Sequence, residues 1–297
     1  MLNNKPKLTQ TYISQLSDKL GIYPAKKFGQ NFMIDQGTII RIIKAANVTK
    51  QTAVLEIGPG FGALTQHLIQ LCQNYLGVEY DNKLFKYLET EYKNPEVKFL
   101  HLDAMKLSAF YQNQDNKNSL WPFTKLVANL PYNISIPLLI SYFLQFPNLT
   151  SATVLVQKEI ADRILAFKNS ANYGIPAVKL AILANTKKLF NIPPSVFWPR
   201  PTVNSCLIQL DKKPLSDILI GDNYEVGLEK INYIFKIIDG AFAHRRKTLA
   251  SSLAIYFKLP KFKINQTLQQ LNIPLNARAQ ELDIVYFKKI AKLIKLK

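Results

Sequence analysis

Four residues, Asn129-Leu130-Pro131-Tyr132, close a mostly apolar run from Phe123 to Ala128 that reads as a buried strand. They bring together a carboxamide, a backbone carbonyl before a turn stiffened by proline, and an aromatic face. In an open α/β sheet, ligands bind in the crevice outside the carboxyl ends of the strands. A plain turn is the competing reading, because Asn and Pro both favour turns. The set suits one kind of chemistry. An exocyclic amine such as that of adenine is a poor nucleophile, since its lone pair is delocalised into the ring. Acceptors on both N–H bonds favour a pyramidal nitrogen and free that pair. The side-chain oxygen of Asn129 and the carbonyl of Leu130 could supply them, if preorganised. Tyr132 could stack on the base, a contact worth about 1–3 kcal/mol. A base reached this way must be unstacked or looped out.

A second set lies upstream in Leu55-Glu56-Ile57-Gly58-Pro59-Gly60-Phe61-Gly62-Ala63, between a strand and a helix. Glycines there let the backbone approach a ligand, and the helix start favours a negative group. Gly58, Gly60 and Ala63 also satisfy the dinucleotide fingerprint, and Glu79 ends the next strand where a ribose hydroxyl would be held. Two residues favour S-adenosylmethionine over NAD. Glu56 would sit near an ammonium, where a pyrophosphate would gain nothing from a carboxylate. Asp103, after the third strand, could accept from an adenine amino group. The structural alternatives are a lysine partner for Glu56 and a helix N-cap for Asp103.

Alternating strand and helix patterns position these sets. Strands are expected over Ala53–Ile57, Tyr75–Val78, Val97–Leu100, Thr124–Ala128, Ala152–Val156, Lys187–Ile192 and Ser205–Leu210. Helices are expected over Ala63–Cys72, Leu84–Tyr92, Pro137–Phe146, Glu159–Phe167 and Ala177–Ala184. That order implies βαβ units and a mostly parallel sheet. Before it come a short helix around Tyr12–Leu20 and a loop, Phe28 to Asp35, read as too polar for the core. A helix with Ile39, Ile40, Ile43 and Ala46 inward follows. Tyr111–Ser119 is polar and reads as a surface insertion. After Asp211-Lys212-Lys213-Pro214 strand signals stop, and Ile231, Ile234, Phe235 and Ile238, then Leu249, Leu253 and Tyr256, then Leu282–Ile294 show helical spacing. The expected division is a catalytic domain over 1–212 and a small all-helical domain over 213–297.

The bulk composition narrows the partner. With 297 residues, 48% of them hydrophobic, the chain can bury a large core. A net charge of +18, from 38 Lys and Arg against 20 Asp and Glu, points to a polyanion. No apolar run reaches the roughly 18 residues a bilayer span needs, and Met1–Gln10 lacks the apolar core of a secretory signal. Cys72 and Cys206 make no disulfide framework, and with His67, His101 and His244 they show no metal-ligand spacing. A reduced, cytoplasmic setting and no metal are expected.

Taken together, Gly29-Gln30-Asn31-Phe32, Glu56 to Gly62, Glu79, Asp103 and Asn129 to Tyr132 resemble the dimethyladenosine transferases of ribosomal RNA. Two later motifs agree, Phe197-Trp198-Pro199-Arg200-Pro201-Thr202-Val203-Asn204-Ser205 and Ala241-Phe242-Ala243-His244-Arg245-Arg246-Lys247-Thr248. The resemblance runs from Lys27 to at least Leu253. It implies a class I methyltransferase fold, Rossmann-like with a seven-stranded sheet, and a helical C-terminal domain. It also implies two methyl transfers from S-adenosylmethionine to each of two adjacent adenosines near the 3′ end of small-subunit rRNA. By position, Asn31, Met33, Gly58, Glu79, Asp103 and Asn129 would line the cofactor site, with Glu56 and Gly60 beside them. Phe197 would face Tyr132 across the target base. Arg245, Arg246 and Lys247 would contact rRNA phosphates, where cations supply affinity without reading sequence. Met33 stands where leucine is commoner in the family.

The nearest rival is an adenine methyltransferase of large-subunit rRNA, of the antibiotic-resistance type, which shares the Asn-Leu-Pro-Tyr set. The Phe-Trp-Pro and Arg-Arg-Lys segments favour the small-subunit enzyme. A ribosome-assembly factor acting mainly by RNA binding is a further alternative, against which the complete catalytic set argues. An NAD-dependent oxidoreductase lacks a residue to handle hydride.

Overall fold

The computed structural model describes residues 6–24, 30–112, 123–214 and 224–294. In chain order they form α1 (Gln10–Leu20), β1 (Phe32–Met33), α2 (Gln36–Ala46), β2 (Ala53–Ile57), α3 (Thr65–Leu71), β3 (Asn74–Glu79), α4 (Asn82–Glu91) and β4 (Val97–His101). Next come α5 (Leu107–Gln112), β5 (Lys125–Asn129), α6 (Ser135–Gln145), β6 (Ser151–Gln157), α7 (Lys158–Ile164), α8 (Ile175–Leu183), β7 (Ala184–Ile192), β8 (Phe197–Trp198) and β9 (Ser205–Lys212). Four more helices follow, α9 (Tyr224–Phe242), α10 (Leu249–Phe257), α11 (Lys261–Gln270) and α12 (Ile284–Leu293). The chain divides into two compact units, Met1–Ala161 with Thr186–Lys212, and Asp162–Asn185 with Lys213–Lys297.

The first unit is built on a seven-stranded sheet of order β4-β3-β2-β5-β6-β9-β7. β2 pairs in parallel with both β3 and β5, β3 with β4, and β5 with β6, while β9 runs antiparallel to β6. The strand order reverses between β2 and β5, which makes that junction the switch point where such sheets bind ligands. The glycine turn leaves the end of β2, and Asn129 is the last residue of β5. All of β2 is buried, as Val-, Leu- and Ile-rich central parallel strands are. Burying each such side chain contributes about 1.5–3 kcal/mol.

Two sequence expectations change here. Within the segment before α2, Phe32 and Met33 are core rather than loop: both are buried and pair antiparallel with Trp198 and Phe197. The pairing satisfies the backbone and lets a locally polar stretch turn two apolar side chains inward. On α2, Ile40 is 44% exposed and Ile42 takes its inward place. Tyr111 and Gln112 finish α5, while the rest of the polar insertion lies outside the described residues, as do Lys26, Lys27 and Gly29.

The second unit is helical. α8 and α9 are joined by an ion pair between Lys179 and Asp239 at 2.7 Å, and the Tyr173 hydroxyl donates to the Leu282 carbonyl at 3.1 Å. At Gly240 on α9 a Cβ would lie 2.8 Å from the rings of Tyr256 and Phe257, so glycine permits α10 to approach. Residues Asp162–Asn185, which periodicity runs on with the strand–helix alternation, group with these helices.

Candidate active site

A cavity of about 240 Å³ opens at the carboxyl ends of β2, β3, β4 and β5, all within the first unit. Its wall includes Asn31, Gly58, Gly60, Glu79, Asp103, Asn129, Leu130 and Tyr132. Five segments far apart in sequence are thus brought together.

The glycine turn is held open by backbone conformation. Gly58, Gly60 and Gly62 have φ of 65°, 60° and 86°, which L side chains rarely adopt. A Cβ on Gly58 would meet nothing within 4 Å, whereas one on Gly60 would come within 3.0 Å of the Phe32 ring. The turn is fixed to the neighbouring strand because the Gly58 N–H donates to the Val78 carbonyl at 2.9 Å.

Two carboxylates stand at the strand ends. Glu79 is buried and accepts from the N–H groups of Gly60 at 3.1 Å and Asp81 at 2.9 Å, while burial raises its pKa. Asp103 caps the short turn Ala104–Lys106 by accepting from the Met105 N–H at 2.9 Å, and it also lines the cavity. The N-cap role therefore coexists with a place on the wall.

Asn129 is the most constrained group. Its amide nitrogen donates to the Asn31 carbonyl at 3.1 Å, which fixes which way the carboxamide points. Its oxygen, Oδ1, is buried and has no hydrogen-bond partner. An unpaired buried acceptor costs about 1–3 kcal/mol, so it calls for a ligand donor. The next peptide is tied down by Leu130 N–H donating to the Leu155 carbonyl at 3.0 Å. Tyr132 is held at both ends: Ser135 Oγ donates to its carbonyl at 3.2 Å, and its hydroxyl lies 3.3 Å from Ser205 Oγ.

Three expected residues lie off this wall. Met33 and Glu56 line a neighbouring cavity of only about 30 Å³. Glu56 is fully buried and its Oε2 accepts from Tyr75 at 2.6 Å and Thr65 at 2.8 Å, so its side-chain partners are hydroxyls rather than a lysine. Burial pushes its carboxyl up to about 7, against the lowering effect of those two hydrogen bonds. Phe197 is 2% exposed and lines neither cavity, because pairing with Met33 turns its ring into the core. Of the two expected aromatics, Tyr132 is the one on the wall.

In the second unit, Arg245, Arg246 and Lys247 join α9 to α10 and are exposed. The Arg245 guanidinium donates to the Ala171 carbonyl, and Thr248 caps α10. Sequence reasoning missed Tyr80, Asp81, Leu102 and Ala104, which also line the large cavity. Their adjacency to Glu79 and Asp103 was the available signal.

A family model for ribosomal RNA adenine dimethylase matches residues 24–295. The chain belongs to that family. A ribosomal RNA small subunit methyltransferase A from Lachnoclostridium phytofermentans is 36% identical, covering 91% of this chain and 91% of the relative. One from Kineococcus radiotolerans is 34% identical, covering 94% and 89%. Among solved structures, a dimethyladenosine transferase from Plasmodium falciparum aligns with a TM-score of 0.70 at 23% identity, covering 87% of this chain and 95% of that one. The 23S rRNA methyltransferase ErmE aligns at 0.60 and 22%, covering 88% and 98%. These two likenesses establish the fold, a class I S-adenosylmethionine-dependent methyltransferase sheet with a helical C-terminal region. Among the described residues no helix is long and apolar enough to cross a membrane, and no cluster of His, Cys, Asp and Glu could hold a metal.

The residues present fit the family's cofactor, S-adenosylmethionine. The open space over Gly58 and the paired acids at the ends of β3 and β4 suit a nucleoside group that also carries a positive charge.

Proposed function

We propose that this adenine dimethylase modifies the N6 amines of two adjacent adenosines in the 3′-terminal hairpin loop of small-subunit rRNA during ribosome biogenesis. The observation that carries the reading is the buried, unpaired Oδ1 of Asn129 on the cavity wall. It accepts one N–H of the target amine and the Leu130 carbonyl accepts the other, which favours a pyramidal, nucleophilic nitrogen. Because the nitrogen of Asn129 is already committed to Asn31, the oxygen needs no reorientation on binding, the condition under which a polar group lowers a barrier most. Tyr132 stacks on the extruded base.

Asn31, Gly58, Gly60, Glu79 and Asp103 would hold S-adenosylmethionine, with Glu79 toward ribose hydroxyls and Asp103 toward the adenine amino group. When bound, it supplies a methyl group already activated on a sulfonium. No residue of the chain therefore has to deprotonate the amine first.

Residues 213–297 serve as the rRNA-binding region, with Arg245, Arg246 and Lys247 on phosphates. The identity to relatives named for the small subunit supports that substrate over large-subunit rRNA. We read the enzyme as a cytoplasmic monomer that uses no metal. Incubation with labelled methyl donor and unmodified small subunits, followed by nucleoside mapping, should place N6,N6-dimethyladenosine at two adjacent positions. Label on large-subunit RNA alone would overturn the substrate.

A further inference from the structure

Tyr132 raises a question that base stacking does not answer. A phenylalanine would offer the same ring, so the hydroxyl needs its own reason. A phenol that is partly buried costs desolvation unless it finds a partner, and burial raises its pKa. The partner here is Ser205, 73 residues away, whose Oγ lies 3.3 Å from the phenol oxygen. Ser205 is completely buried and is the first residue of β9, fixed in antiparallel register opposite Gln157 at the end of β6. Ser135, 1% exposed at the start of α6, donates to the Tyr132 carbonyl from the other side. The ring is thus tethered at its backbone and at its tip to two elements of the rigid sheet unit.

We propose that Ser205 is a positioning residue for methyl transfer, fixing where the Tyr132 ring stands on the cavity wall before the target base arrives. This rests on the reading that Tyr132 stacks on that base. The proline before Tyr132 stiffens the turn, but swing of the ring about its first side-chain torsion remains. A hydrogen bond at the ring's far end removes it. A base stacked on a ring held in one position presents its amine to Asn129 at a fixed distance, and displacement of about 1 Å in such sites costs rate steeply. Ser205 touches neither substrate nor donor in this account and acts only through Tyr132.

The test is a double-mutant cycle on single-turnover methyl transfer to unmodified small subunits, with donor affinity measured in parallel by calorimetry. S205A and Y132F each delete the same hydrogen bond from opposite ends. Each should slow transfer about fivefold, and the double variant should be no slower than either, with donor affinity unchanged within about twofold. S205A at the wild-type rate would overturn the proposal, as would a double variant about 25-fold slow, which marks two independent effects. Loss of donor binding in S205A would also overturn it by assigning Ser205 a structural role. Y132A separates the two levels. A wild-type rate there would remove the stacking reading itself, whereas a slow Y132A with a normal S205A would remove only the role of Ser205.

Discussion

The cavity of the sheet unit and the basic segment of the helical unit handle polar groups in opposite ways. In the cavity the polar side chains are held by the backbone: Glu79 by two amides, Asp103 by a turn, the nitrogen of Asn129 by the Asn31 carbonyl. Among the described residues, the one buried side-chain acceptor left unpaired on that wall is Asn129 Oδ1. Around Arg245-Arg246-Lys247, long cationic side chains are exposed, with Arg245 tied to Ala171. Preorganised groups in a recess discriminate by geometry, while exposed cations gain affinity through counterion release and are screened by salt. One region should therefore fail by position and the other by charge.

A change of position in the cavity should have the largest effect. Gly58→Val places a branched side chain at φ 65° and into the open space over the turn. It should weaken methyl-donor binding at least 100-fold by calorimetry, with rRNA affinity nearly intact. An equal loss of both would erase the contrast between the regions. Next, the triple variant R245A/R246A/K247A should weaken rRNA binding about tenfold at moderate salt and lower the slope of log affinity against log salt. Removing three phosphate contacts should reduce that slope by about 2–3. Binding unchanged across a salt series would take the segment out of the interface.

An effect on stability rather than on binding tests what burial does beneath the glycine turn. The folded pKa of Glu56 is raised to about 7, so between the unfolded value near 4.5 and 7 the folded state holds the extra proton. Its contribution to stability is fully present below about 4.5 and is lost as pH rises through 7. That loss amounts to about 3 kcal/mol. E56Q, always neutral, should gain stability relative to wild type over that window and run parallel above it, as read by urea denaturation. Parallel curves throughout would show that Glu56 ionises as freely in the fold as outside it.

Much of the site was legible because acids, amide and glycines each sit at the end of an apolar strand, where composition changes abruptly. β2 runs over Ala53–Ile57 as its apolar run predicts, and Asn129 is the last residue of β5. What was not legible is long-range. The pairing of Phe32-Met33 with Phe197-Trp198 involves two-residue strands, too short for any periodicity, and it is this pairing that turns Phe197 inward. Nothing local reveals that Tyr75 and Thr65 donate to Glu56, or that Ser205 meets Tyr132. α11 escaped because only Ile264, Thr267 and Leu268 are buried on it.

The central claim is that Asn129 Oδ1 accepts from the adenine amine. Its most direct test is single-turnover transfer by N129A on unmodified small subunits, with rRNA and donor affinities measured alongside. N129A should transfer at a rate at least 100-fold lower, a loss of about 3 kcal/mol or more of transition-state stabilisation, while rRNA affinity stays within about threefold of wild type. Turnover comparable to wild type would contradict it.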